Sequence, residues 1–175
     1  SLVALLAMFA LLSIAFKSYF LPLIILSALP FGFCGAVIGH LVFGKGLSMI
    51  SYWGIGAACG VVINDNLVLV DYINRVRRSG KHLLEAVIEA GVVRFRPIVI
   101  TSITTFVGLM PIMLEPSVQA NFLKPAVISL TCGVVLCAPV TLILVPCLMV
   151  IGADIKEVLS RIPQVIKRQF SPTTT

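Results

Sequence analysis

The stretch GVVINDNLVLVDYINR, residues 60–75, decides the fold class, because it belongs to an apolar segment long enough to span a membrane. It also places a carboxylate in the middle of that segment. Taking residues 51–75 as one membrane span puts Asn64 and Asp65 close to its centre. An ionised group at that depth costs about 3 kcal/mol or more. We therefore expect Asp65 to face a protein interior or a wet cavity and to have a partner there, as in ion and proton pathways.

The composition predicts an all-α membrane protein. Hydrophobic residues make up 59% of the chain and charged residues 11%, whereas soluble domains carry roughly 25% charged residues. A span needs about 20 mostly apolar residues. Residues 1–152 are predicted to form a bundle of five transmembrane helices, with approximate spans 2–16, 20–43, 49–72, 97–114 and 122–151. The first span is short and begins inside its own apolar run, which suggests a piece of a longer protein.

The basic residues predict the orientation, because short cytoplasmic loops retain Lys and Arg. The connections after the first and third spans and the tail at 153–175 hold 11 of the 13 basic residues, and they lie on one side. We expect the N-terminal end outside and a basic cytoplasmic tail inside. This pattern accounts for the net charge of +6 without a nucleic-acid partner, and membrane lipids are the expected contact.

The segment KHLLEAVIEAGVVR, residues 81–94, follows the third span. Leu84 and Val87 lie on one side of a helix, and Glu85 and Glu89 lie on another. The pattern predicts a short amphipathic interfacial helix at about 81–93. A surface connector and a coupling role both fit this helix.

Small and polar residues mark further positions. Gly56 and Gly60 are four residues apart, a spacing on which another helix can pack closely. The five cysteines lie in apolar spans without a CxxC pair, and His40 and His82 are isolated. We therefore predict no metal site and no disulfide.

The fourth span carries a polar face. Thr101, Thr104 and Thr105 share one side of a helix with Gly108, and Arg94 stands at the cytoplasmic mouth of the same helix. Arg94 either pairs with a carboxylate or extends to lipid phosphates.

Two roles remain open for Asp65. A protonated Asp65 that bonds to Asn64, Asn66 or a threonine would serve packing alone. A titrating Asp65 would move protons. Catalysis as in an intramembrane aspartyl protease is not expected, because it needs two carboxylates that face each other. Asp65 and Asp71 are six residues apart on one helix, about 120° from each other round its axis.

Residues 60–75, the basic linker and RFRPIVITSITTFVGLMP, residues 94–111, resemble the last helices of resistance-nodulation-division (RND) transporters, the proton-driven efflux pumps of bacterial inner membranes. The resemblance extends over nearly the whole chain, including SYFLPLIILSALPFGFCGAVIG, residues 18–39. It implies spans eight to twelve of a twelve-span subunit.

The resemblance also implies roles for residues. In RND transporters two adjacent aspartates of the first half exchange protons and interact with a polar residue in the second half. The matching positions here make Asp65, Asn64, Arg94 and Thr101 the proton-relay candidates, with Asn66, Thr104 and Thr105 as the supporting polar face. Known drug pumps have lysine at the position of Asn64 and asparagine at that of Asp65. The resemblance thus implies a different charge balance here, through Arg94 or through protonation.

The expected function is secondary active transport by proton/substrate antiport, with export of hydrophobic or amphiphilic compounds. The resemblance implies no cofactor beyond the proton gradient. It also implies a multi-pass inner-membrane protein with these partners: the remainder of the transporter chain, a homotrimer, a periplasmic adaptor and an outer-membrane channel. An RND-related transporter of lipid, metal ion or protein is one alternative, and a non-transporting membrane anchor or assembly module is another.

Overall fold

The computed structural model describes the backbone of residues 2–169 and the side chains of residue 3 and residues 5–155. Across this part of the chain there are six α-helices and no β-strand. They are α1 (Leu2–Phe16), α2 (Phe20–Leu26), α3 (Leu29–Val42), α4 (Met49–Arg78), α5 (Leu83–Leu114) and α6 (Val118–Gln169). The all-α membrane fold predicted from the sequence is confirmed.

Four helical segments are long and apolar enough to cross a membrane, judged by length and composition. They are Phe20–Val42, Met49–Arg78, Leu83–Leu114 and Val118–Ile155, and Leu5–Phe16 is a shorter apolar helix. Large apolar side chains point outward from them, with Leu41, Trp53 and Ile143 among the exposed residues. In hydrocarbon such exposure carries no hydrophobic penalty, because lipid tails are as apolar as these side chains.

The second predicted span is broken between α2 and α3. Pro30 has no N–H, so the carbonyl of Leu26 loses its usual helical donor. Helix α2 ends at Leu26 and α3 begins at Leu29. Between them the Ser27 hydroxyl donates to the Ile24 carbonyl over 2.6 Å. Pro111 and Pro139, by contrast, lie within unbroken helices.

The structure differs from the prediction at the interfacial helix. Residues 81–93 do not form a separate helix, because α5 runs without a break from Leu83 to Leu114. Gly91 costs a helix only about 1 kcal/mol. Tertiary packing outweighs that cost, since Val87 and Ala90 are buried in the same apolar cluster as Ile73 of α4.

The predicted start of a cytoplasmic tail at residue 153 stays a prediction, because a helix can continue beyond the membrane and the candidate span ends at Ile155. Helix α6 continues through this position to Gln169. The predicted tail's basic side chains lie outside the described side chains; they are Lys156, Arg161, Lys167 and Arg168.

Helix α6 is the centre of the packing, because it contacts α3, α4 and α5. Small residues permit the close approach. A methyl group added at Gly54 would collide with the backbone of Ala126, and one at Gly133 would lie 3.0 Å from the Ala58 Cβ atom. Positions 54 and 58 thus meet positions 126 and 133 in the same chain order, so α4 and α6 run parallel.

Candidate functional site: the polar face between helices α4 and α5

The three consecutive polar residues of α4 face different surroundings. Asn64 is exposed, Asp65 is half-buried, and Asn66 is only 1% exposed. Each residue turns the helix by about 100°. The buried face of α4 therefore passes through Asn66, whereas Asn64 lies on the face that no described helix covers.

Asn66 points toward α6. It follows Ala58 by eight residues and Val62 by four, so the three share one face of α4. Val62 belongs to a buried cluster with Cys137 of α6. The Asn66 Nδ2 atom is buried and has no hydrogen-bond partner among the described residues, so it holds unused donor capacity beside α6.

Arg94 is positioned by an aromatic ring of α4. Its guanidinium carbon lies 5.3 Å from the centre of the Tyr72 ring, within the distance at which a cation is attracted to a π face. The Arg94 Nε atom is buried, and no side chain or backbone group in the described part of the chain forms a hydrogen bond with it. The Arg94 charge is therefore held against α4 by the Tyr72 ring.

Glu89 holds the hydroxyl end of the Tyr72 ring. The Tyr72 hydroxyl donates to Glu89 Oε1 over 3.4 Å, and Lys81 Nζ donates to Glu89 Oε2 over 2.6 Å. The hydrogen bond to Glu89 and its negative charge raise the pKa of the Lys81 ammonium. The ion pair between Lys81 and Glu89 ties the α4–α5 turn to the first turns of α5.

Helical geometry relates this contact to Asp65. Asp65 precedes Tyr72 by seven residues, or two turns on the same face, a rise of about 10 Å. Thr101 follows Arg94 by seven residues, again two turns on the same face. Because α4 and α5 are joined by the short turn at residues 79–82 and run antiparallel, the Tyr72–Arg94 contact sets Thr101 at the level of Asp65.

Direct contact among the relay candidates is absent from the described side chains. No hydrogen bond or ion pair there joins Asp65 to Arg94 or Thr101. Thr101 instead donates to the Pro97 carbonyl over 2.9 Å. The structure brings Asp65, Arg94 and Thr101 to one helix pair without bonding them.

The threonine face of α5 turns away from the buried side of that helix. Ile98 and Ser102 are buried, whereas Thr104 is exposed and Thr105 is half-buried. The Thr104 hydroxyl donates to the Ile100 carbonyl over 2.8 Å. This bond to its own helix lowers the cost of an exposed hydroxyl in hydrocarbon.

Comparison with known proteins identifies the chain. A family model described as the AcrB/AcrD/AcrF family matches residues 1–153. The chain belongs to the AcrB/AcrD/AcrF family. Multidrug resistance protein MdtC of Proteus mirabilis (strain HI4320) is similar to it, with 32% identity over 146 residues that cover 83% of this chain. The chain spans 14% of the length of that relative.

Membership of the AcrB/AcrD/AcrF family confirms the resemblance to RND transporters. Gly56 and Gly60 of this family member lie on the face of α4 that no described helix covers. Both glycines face open space, with no described atom within 4 Å of an added methyl group. The packing of a helix on them stays a prediction, and it concerns a helix outside the described residues.

Sequence reasoning missed a second polar contact in this family member. His40 is buried, and its Nδ1 atom lies 3.0 Å from the Ala36 carbonyl while Nε2 lies 2.9 Å from Ser51 Oγ. A carbonyl only accepts, so Nδ1 carries a hydrogen and donates to Ala36, and Nε2 is left in contact with the Ser51 hydroxyl. The position of Ser51 on the same α4 face as Gly54 and Ala58 was the available signal for this contact.

Proposed function

We propose that this chain forms part of the membrane domain of a proton-driven efflux transporter of the RND type, which exports hydrophobic or amphiphilic compounds by proton antiport. The observation that carries the proposal is the half-buried carboxylate of Asp65, at mid-helix and on the face of α4 that contacts Arg94. An ionisable group at that depth is costly, and such groups in membrane helices mark ion and proton pathways. The name of the similar protein, Multidrug resistance protein MdtC, supports a multidrug cargo.

The proposal gives each polar residue a part. Asp65 takes up and releases the proton, and Arg94, held by Tyr72 on the same face two turns away, places a positive charge at the cytoplasmic end of the path. Thr101, at the level of Asp65, offers a hydroxyl to the same path. Asn64 lies on the open face of α4, where it would meet the aspartate pair of the first half of the transporter.

Location and assembly belong to the same proposal. The basic ends of the helices favour an N-terminal end outside and a tail in the cytoplasm, and the resemblance to RND transporters favours a bacterial inner membrane. A homotrimer with a periplasmic adaptor and an outer-membrane channel follows from the resemblance, and no cofactor beyond the proton gradient is proposed.

The test is Asp65→Asn in the full-length transporter, reconstituted in vesicles with an imposed pH gradient. We expect proton-driven efflux to fall at least about tenfold, because an amide cannot take up and release a proton. Asp71→Asn is the matched control on the same helix, since Asp71 is exposed and pairs with Arg75 over 3.2 Å. Exposed pairs contribute little, so this variant should transport normally. Normal transport by the Asp65→Asn protein at equal expression would contradict the proposal.

A second measurement separates transport from a mere packing role. In a cysteine-free background, cysteine at position 65 or 101 should react with a small water-soluble thiol reagent, because a proton path must be wet. Complete protection at both positions would favour a non-transporting helix bundle whose polar groups serve packing.

A further inference from the structure

A groove of 660 Å³ opens at one end of the bundle. It forms where the connection between α1 and α2 meets the last turns of α4, the first turn of α5 and residues 149–155 of α6. Its walls are mainly apolar, and they are lined by Phe20, Leu21, Ile24, Leu83, Met149 and Ile155.

Polar groups lie at the mouth of this groove. Arg77, Asn74 and Ser18 line it, and no carboxylate belongs to its described lining. An adjoining groove of 510 Å³ shares Ser18 and Tyr19 with it and adds Lys17. Among the described side chains, neither Arg77 nor Lys17 takes part in an ion pair. The basic charge at the groove is therefore not neutralised by the described part of the chain.

The position of the groove narrows the choice of ligand. It lies at the end of α4 that carries Arg75, Arg77 and Arg78, next to the apolar length of the membrane helices. A ligand that fits must have a negative head for Arg77 and long apolar chains for the walls. Basic pockets between transmembrane helices bind the head groups of anionic lipids in this way.

We propose that this groove binds one anionic phospholipid, with its phosphate at Arg77 and an acyl chain along Phe20 and Met149. The Arg77 guanidinium matches a phosphate with two parallel hydrogen bonds, and Lys17 adds charge from the adjoining groove. This site is separate from the Asp65 face and does not depend on proton transport.

The experiment measures lipid binding to the full-length transporter in detergent by native mass spectrometry, with phosphatidylglycerol and phosphatidylcholine as probes. Arg77→Gln should weaken phosphatidylglycerol binding about fivefold, the effect of one basic residue near a membrane surface, and leave phosphatidylcholine binding unchanged. Arg78→Gln is the matched control, because Arg78 is the next residue, is also exposed, and does not line the groove. It should bind both lipids as the unmodified transporter does.

A second variant tests the groove rather than the charge. Ala153 lines the groove and is half-buried, so Ala153→Phe should fill the space and reduce binding of both lipids. Equal effects of Arg77→Gln and Arg78→Gln, or no effect of Arg77→Gln, would overturn the proposal. So would unchanged lipid binding by Ala153→Phe, or displacement of phosphatidylglycerol by millimolar inorganic phosphate, which would indicate a site for free phosphate.

Discussion

At the scale of single residues, the turn of the helix decides which polar group is available. Asn64 is exposed, whereas Asn66 is buried against α6 with a free Nδ2 donor. Asp65 lies between them on the side that faces α5. Asp65 is thus directed toward α5, which carries Arg94 and Thr101, whereas Asn64 and Asn66 face other directions.

Glycines of α4 provide a sharp test at this scale. Gly54→Ala should destabilise the protein by about 1 to 3 kcal/mol, because the added methyl group would collide with the Ala126 backbone and force α4 and α6 apart. Gly56→Ala is the control, since an added methyl group there meets open space. The measurement is the thermal unfolding midpoint of the purified full-length transporter.

Substitutions at Gly54 and Gly56 also separate two packing hypotheses. Equal midpoints for Gly54→Ala and the unmodified protein would contradict the α4–α6 contact described above. A strong loss of stability for Gly56→Leu would show that another helix covers the Gly56 and Gly60 face in the whole transporter, as the spacing of these glycines predicts.

At the scale of helices, short contacts between neighbours fix the corners of the bundle. The α3–α4 corner is tied by the contact between His40 and Ser51, whose oxygen also accepts the Ser48 N–H over 3.0 Å. The α4–α5 corner is tied by Lys81, Glu89 and Tyr72. Both ties hold antiparallel helices at the ends where their connections are short.

Removal of the histidine should loosen the first corner. His40→Ala should cost about 2 kcal/mol, because it removes the His40 Nε2 partner of the Ser51 hydroxyl in a buried corner. His82→Ala is the matched control, since His82 is exposed and makes no side-chain capping bond at the start of α5. The check is the thermal unfolding midpoint of each variant. Equal losses for the two variants would mean that the His40–Ser51 contact contributes nothing specific.

At the scale of the whole molecule, the bundle has closed faces and open faces. Helix α6 is surrounded by α3, α4 and α5. The outer faces of α4 and α5 have no described neighbour, and they carry Asn64, Gly60 and Thr104. These open polar faces are where the remainder of an RND transporter would pack, because polar groups facing lipid tails are costly.

Orientation is also a property of the whole molecule. In a cysteine-free background, Lys17→Cys and Arg78→Cys should react with a membrane-impermeant thiol reagent from the cytoplasmic side only. Lys45→Cys should react from the opposite side, because Lys45 lies in the connection between α3 and α4. Right-side-out and inverted vesicles expose opposite sides of the membrane to the reagent. Labelling of all three cysteines from one and the same side of the membrane would contradict the predicted topology.

The sequence by itself determined the membrane class, the family, both ends of α1, the starts of α2 and α4 and the end of α5. The predicted span at 2–16 and the end of the fourth span at 114 coincide with α1 and α5. Length and apolarity are local properties, so the bilayer converts them into helices without reference to the rest of the fold. The position of Asp65 at mid-helix follows from the same local count.

Only the tertiary structure decided which faces meet. Gly54 and Ala58 have the same four-residue spacing as Gly56 and Gly60, yet the first pair packs on α6 and the second faces open space. It also joined His40 to Ser51 and made α5 one continuous helix. In a membrane no hydrophobic force selects one face of an apolar helix over another, so the choice depends on how two surfaces far apart in the sequence fit together.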